Sequence, residues 1–202
     1  GSGWALNLEY VYRDTQHTAD TNDDIYHLQF RGGDQKLVYV ASENKYHTEQ
    51  ESHLLIQKLS GAQHGREYWI VKTKDGTTYR FGFLEQSEQE LSGAGMKWML
   101  DSVTDTHGNI ITYSYLENPQ TSKDTYLDKI TYGQNVVEMS YIFHAANEPQ
   151  YINGMEIRPT AHVTNLKIRN SNVLLRAYYF DYQQRGTRYL LTKIRERGKD
   201  DI

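Results

Sequence analysis

His47, Glu49, Glu51 and His53 place four groups able to ligate a metal at alternate positions of one short segment. On a single strand they would share one face. A strand rises about 3.3 Å per residue, so the two imidazoles would lie about 20 Å apart, whereas zinc draws its donors to about 2 Å from one point. The segment is therefore expected to be a solvated strand edge, and no metal site is expected. Asp20, Asn22 and Asp24 repeat the first three ligand spacings of a calcium loop. Ile25 stands where that loop turns on glycine, and Arg31 where it needs a bidentate glutamate, so the pattern fails twice and a polar loop is expected.

Catalytic constellations fare no better. There is no Gly-x-Ser-x-Gly elbow to expose a serine nucleophile. Gly93-Ala94-Gly95 neither follows an expected strand nor opens a helix, so it is not read as a phosphate cradle. Glu88 and Glu90 have the spacing of the paired glutamates of ADP-ribosyltransferases, but no Ser-Thr-Ser strand accompanies them. His64, His107, His144 and His162 stand singly near turns and are expected at the surface. No catalytic residue and no cofactor is expected, and the chain is not expected to be an enzyme.

The aromatic residues remain as binding candidates. Tyr178 and Tyr179 adjoin each other, so one of them must point away from the core if the strand is regular, and an aromatic face with a polar tip can stack on a sugar or a receptor. Most of the 17 tyrosines fall at alternating positions and are read as packing. A net charge of −4 gives no reason to expect nucleic acid as a partner, and Arg195, Arg197 and Lys199 read as a solvated strand end. With no cysteine, disulfides and thiolate metal sites are excluded. No segment has the roughly 18 to 20 apolar residues that span a bilayer as a helix.

The elements that must carry these residues are strands. Trp4, Leu6, Leu8 and Tyr10 alternate with polar neighbours, the period of a half-buried strand, and Thr15 to Asp24 is polar throughout and reads as a loop. Ile25 to Phe30 and Lys36 to Ala41 flank Arg31-Gly32-Gly33-Asp34, and Tyr68 to Lys74 and Thr77 to Phe83 flank Asp75-Gly76, both strong hairpin signals. Trp98 to Asp105 and Ile110 to Tyr115 flank a further glycine turn. Later strands open at Leu127, Leu166 and Leu190, with aromatic strands at Ser140 to Phe143 and Ala177 to Tyr182. This spacing suggests stacked units. Phe83 to Met96 reads as a loop with at most one helical turn. The expected fold is mostly β, an antiparallel β-hairpin array in a curved open sheet, forming one domain over residues 1–202.

Several motifs resemble a known family in order and spacing. Gly3-Trp4-Ala5-Leu6, Asp24-Ile25-Tyr26-His27-Leu28, Tyr46-His47-Thr48-Glu49, Trp69 to Gly76 with Tyr79-Arg80-Phe81-Gly82, Trp98-Met99-Leu100 with Asp105 to Asn109, and Tyr126 to Gly133 are similar to the SpvB-type domain. That domain is shared with the B components of Tc insecticidal toxins and related to Rhs and YD-repeat proteins, and Asp181-Tyr182 is similar to the YD pair itself. The resemblance implies a non-catalytic segment of a larger toxin-like scaffold or shell that holds a separate effector. It implies secretion or export from a bacterium. Partners would be other segments of the same large protein, toxin-complex subunits or effector cargo. The alternative reading is a carbohydrate- or receptor-binding β module. Because an open array leaves strand edges unpaired, the chain is expected to need neighbouring segments or self-association.

Overall fold

The computed structural model describes residues 8–18, 20–91, 93–117, 125–144, 150–152, 155–157, 160–186 and 188–198. These group into two compact units, one within 8–110 and 151–155, the other within 111–150 and 156–198. Trp4 and Leu6 lie outside the described residues.

In the first unit the strands are β1 (Tyr10–Asp14), β2 (Ile25–Phe30), β3 (Gly33–Val40), β4 (Lys45–Thr48), β5 (Leu55–Ser60), β6 (Glu67–Lys72), β7 (Thr78–Phe81), β8 (Glu88–Leu91) and β9 (Ala94–Thr104). The hairpins form where expected. β2 and β3 meet at Phe30↔Gly33 across Arg31 and Gly32, both at positive φ, so β3 begins three residues earlier than the sequence suggests. β6 and β7 meet at Lys72↔Thr78, where Asp75 Oδ1 accepts from the Thr73 hydroxyl and the Thr77 amide.

The expected open sheet is corrected in this unit. β1 pairs with β2 on one side and, in the register Val11↔Trp98, with β9 on the other. The order β1-β2-β3-β4-β5-β6-β7-β9 thereby closes into an eight-stranded antiparallel barrel, with β8 an extra strand on β9. Closure satisfies the backbone groups that an open sheet leaves at its edges. Inward positions follow the cross-strand pairs. Val11 faces Leu28 and Trp98, Ile56 faces Val71, and Trp69 faces Phe81. Val11, Leu28, Ile56, Trp69, Val71 and Phe81 are fully buried. At about 1.5–3 kcal/mol for each large apolar side chain, this interior drives the unit's folding. Tyr26, Tyr46, Trp69 and Trp98 add a cluster of rings with centroids 4.9–5.9 Å apart.

The expected loop from Phe83 to Met96 is in part a strand. A single 3-10 turn, Glu85–Ser87, leads directly into β8. A fully buried Asp101 latches this turn to the barrel, accepting from Arg80 Nε at 2.6 Å, the Phe83 amide at 2.6 Å, the Leu84 amide at 3.2 Å and the Ser87 hydroxyl at 3.1 Å. Four donors on one carboxylate offset its desolvation.

The second unit contains β10 (Ile110–Glu117), β11 (Thr125–Tyr132), β12 (Asn135–Phe143), β15 (Ala161–Asn170), β16 (Val173–Arg185) and β17 (Arg188–Gly198). They pair antiparallel in that order. Two short strands, β13 (Gln150–Ile152) and β14 (Met155–Ile157), form a separate pair. Here the sheet is open, because β17 pairs only with β16 among the described residues.

Gly82 carries the tightest constraint in the barrel. Its φ is +69°, and a Cβ there would overlap the Trp98 indole. Gly108 also has positive φ, at +82°, but faces open space. Gly82→Ala is expected to lose about 2–4 kcal/mol, from left-handed strain plus overpacking, and Gly108→Ala only about 1–2 kcal/mol from strain alone. Urea denaturation of the two variants checks the difference.

Candidate functional site

The acids singled out by spacing have structural work. Glu88, on β8, is almost fully buried and ion-pairs through Oε2 with Arg66, whose Nε lies 2.7 Å away. The guanidinium also reaches Glu90 Oε2 at 3.1 Å. His64 is corrected from a surface residue to a buried one, its side chain only 3% exposed. Its Nε2–H donates to the Gly82 carbonyl at 2.8 Å, and its Nδ1 lies 3.4 Å from Glu88 Oε2. The hydrogen bond to Glu88 holds Arg66 above its ordinary range. Together these residues bind β8 and the chain before β6 into one network, and Glu88 is closed to a substrate.

The metal candidates are dispersed. β4 ends at Thr48, and His53 sits in a turn at φ 55°, so His47 and His53 do not share a strand. His47 contacts Glu43, and Asp24 is ion-paired with Arg13. Asp20 Oδ1 accepts from the amide and side chain of Asn22. Among the described residues, no group of three metal-ligating side chains converges.

Tyr178 and Tyr179 lie mid-strand on β16, opposite Glu196 and Arg195 of β17. Both are half-buried, and by alternation they project to opposite faces. The Tyr179 ring carries two guanidiniums, Arg195 at 5.7 Å and Arg197 at 5.6 Å from its centroid. Arg195 is held in turn by Asp181 through contacts of 2.8 and 2.6 Å, and that hydrogen bonding keeps the Asp181 carboxyl below its usual range. Tyr178 accepts from Arg176 at 3.3 Å.

These two tyrosines mark the two faces of the sheet. On the Tyr179 side a polar row crosses the strands, Ser114↔Lys129, Lys129↔Glu138, Glu138↔Lys167, Lys167↔Ala177 and Ala177↔Arg197. Glu138 sits 3.3 Å from Lys129 and 3.2 Å from Arg169. Burial pushes its carboxyl up, but the two cations outweigh that and hold it below the usual range. On the Tyr178 side, where two rows end on the paired charges Arg176 and Glu196, the rest of each row is apolar: Tyr113, Ile130, Val137 and Ile168, then Met139, Leu166 and Tyr178, then Phe180 and Ile194. None of these nine side chains is buried, and Ile194 is 56% exposed. The adjacency of Tyr178 and Tyr179 in the sequence does not show the half-covered face to which Tyr178 belongs. The alternation in β11, β12 and β15 signals that face.

This architecture has relatives. The profile of the SpvB family, described as Salmonella virulence plasmid 65kDa B protein, matches residues 29–196. The chain belongs to the SpvB family. No curated protein matches it in sequence. Among solved structures, it is similar to the N-terminal domain of effector protein SpvB from Salmonella typhimurium strain LT2, with a TM-score of 0.80 at 15% identity, covering 97% of this chain and 88% of that one. It is also similar to a TcdB2-TccC3-Cdc42 structure, at TM-score 0.77 and 15% identity, covering 96% of this chain and 13% of that one. The Photorhabdus luminescens Tc holotoxin pore gives TM-score 0.75 at 14% identity, again covering 96% and 13%. The SpvB-type resemblance and the antiparallel β class both stand. The SpvB-family chain spans 88% of one neighbour and about an eighth of the toxin chains.

Breaking the Glu88 network tests its structural role. Glu88→Ala is expected to cost about 1–3 kcal/mol, because it removes the buried acceptor of Arg66, whose guanidinium is itself 36% exposed and keeps Glu90. Glu90→Ala, at an exposed pair, is expected to cost less than about 1 kcal/mol. Thermal unfolding of both variants reads the contrast.

Proposed function

We propose that this chain is a non-catalytic scaffold segment of an exported, toxin-associated bacterial protein, and that its second unit is a surface completed by further protein. The observation that carries this reading is the apolar face of the second unit, which remains half-exposed across five consecutive strands. Large apolar faces are kept in soluble proteins where something covers them. The outer edge of β17 supports the same reading, since its amides and carbonyls lack a strand on that side among the described residues. Membership of the SpvB family and likeness to Tc chains several times longer agree with a segment that adjoins others. In this reading the partners are other segments of the same polypeptide or toxin-complex subunits, with an effector as cargo, and the barrel is a rigid, self-contained foundation.

Hydrogen exchange tests the proposal. In the isolated chain, the β17 amides directed away from β16 are expected to exchange at near-unprotected rates. In the longest natural polypeptide carrying this sequence, or on addition of its toxin-complex partners, they are expected to gain protection of about a hundredfold or more. Unchanged exchange in all three settings would sink the scaffold reading. So would turnover of a substrate by the isolated chain that a single substitution abolishes.

A further inference from the structure

Four rings meet at one end of the second unit's sheet. His144 follows β12, His162 lies on β15, Tyr182 on β16 and Tyr189 on β17. The His162 ring centroid is 5.5 Å from His144, 4.4 Å from Tyr182 and 4.6 Å from Tyr189, and His144 stacks on Tyr189 at 4.7 Å. The cluster ties four strands at the place where regular pairing thins out. At this end β16 and β17 stay paired as far as their own hairpin at Arg185↔Arg188, whereas β15 and β16 have no paired residues beyond Asn165↔Tyr179. The rings bridge what the backbone leaves open.

Two of the four rings are imidazoles, and the surroundings of His162 favour its uncharged form. His162 Nδ1 is buried and makes no hydrogen bond among the described residues. A protonated ring would carry an N–H at that atom with nothing to receive it, a desolvated charged donor. Among the described residues, the titratable groups that face it are His144, Tyr182 and Tyr189, and no carboxylate there favours its charge. Charging both stacked imidazoles would add repulsion at 5.5 Å.

We propose that His144, His162, Tyr182 and Tyr189 form an acid-sensitive clasp, closed at neutral pH and released when His162 takes up a proton, which frees this end of β15 from β16 and β17. Burial, then the neighbouring His144, hold the His162 imidazole below its ordinary range. The sign follows. A base with a depressed folded-state value binds its proton more tightly when the clasp is open, so the clasp's stability is fully present above about pH 6.5 and is lost as pH falls through the folded value.

The test combines ring titration with exchange on the intact chain. By NMR, the His162 ring is expected to titrate below about pH 6.5, and His144→Phe is expected to raise that midpoint by removing the like charge. Amide protection at Val163 and at Phe180 to Gln183 is expected to fall by up to about tenfold per pH unit between pH 6.5 and the His162 midpoint. In His162→Phe, which keeps an aromatic ring and loses the proton site, protection at these amides is expected to be independent of pH over the same range. The proposal is overturned if His162 titrates at or above 6.5, or if His162→Phe shows the wild-type loss. Should His162→Phe fail to fold, the titration shift in His144→Phe decides alone, and an unshifted midpoint there counts against the clasp.

Discussion

The seam between β1 and β9 is the constraint on which the barrel depends. β1 is only five residues long, yet its two sides carry β2 and β9, and the Leu100 amide extends the seam by bonding the Glu9 carbonyl at 3.1 Å. Without it, the sheet from β2 to β9 would end in two edges, and the inward rings of Tyr26, Tyr46, Trp69 and Trp98 would face water. β9 bears the largest share of this arrangement, pairing with β1, β7 and β8 along its eleven residues. Its composition reflects that load. Met96, Trp98, Met99, Leu100, Asp101 and Ser102 are all buried, so the usual inward–outward alternation disappears along this stretch, where Asp101 accepts from the amides of Phe83 and Leu84.

The buried carboxylates inside the first unit are held by donors unequally, and Glu88 Oε1 has none among the described residues. Asp101 collects four, and Glu88 is met by Arg66. Both hold the segment between β7 and β9, Asp101 from within β9 and Glu88 from the start of β8. Charged contacts hold this excursion because it is too short to bury much apolar area of its own. Gly95 belongs to the same arrangement, since a side chain there would collide with both Glu88 and Trp98.

Much of the fold was legible in the sequence wherever a turn glycine marked a hairpin. Gly32 and Gly76, both at positive φ, place β2–β3 and β6–β7 to within a few residues. β4 and β5 escaped because one is four residues long and the other has a single fully buried side chain, Ile56. β8 escaped for a different reason: its inward position is filled by Glu88, a charge where alternation predicts an apolar residue. Closure was invisible because Val11 and Trp98 bear no local mark of their pairing. The rings around His162 were equally unreadable, as a bulge in the pairing of β12 with β15 resets the alternation just after that residue. Tyr178 and Tyr179 were found from adjacency alone, while the guanidiniums over Tyr179 required the register of β17.

The charge on β17 bears on how the molecule behaves in a crowd. Arg188, Lys193, Arg195 and Arg197 outnumber Glu196 on this outermost strand. Two copies meeting edge to edge would set these cations against their own counterparts within about 5 Å, so the strand's free backbone is guarded by repulsion against its twin. The guard weakens as ionic strength shortens the reach of the charges. Salt, which usually loosens charged assemblies, would therefore promote clumping of this molecule.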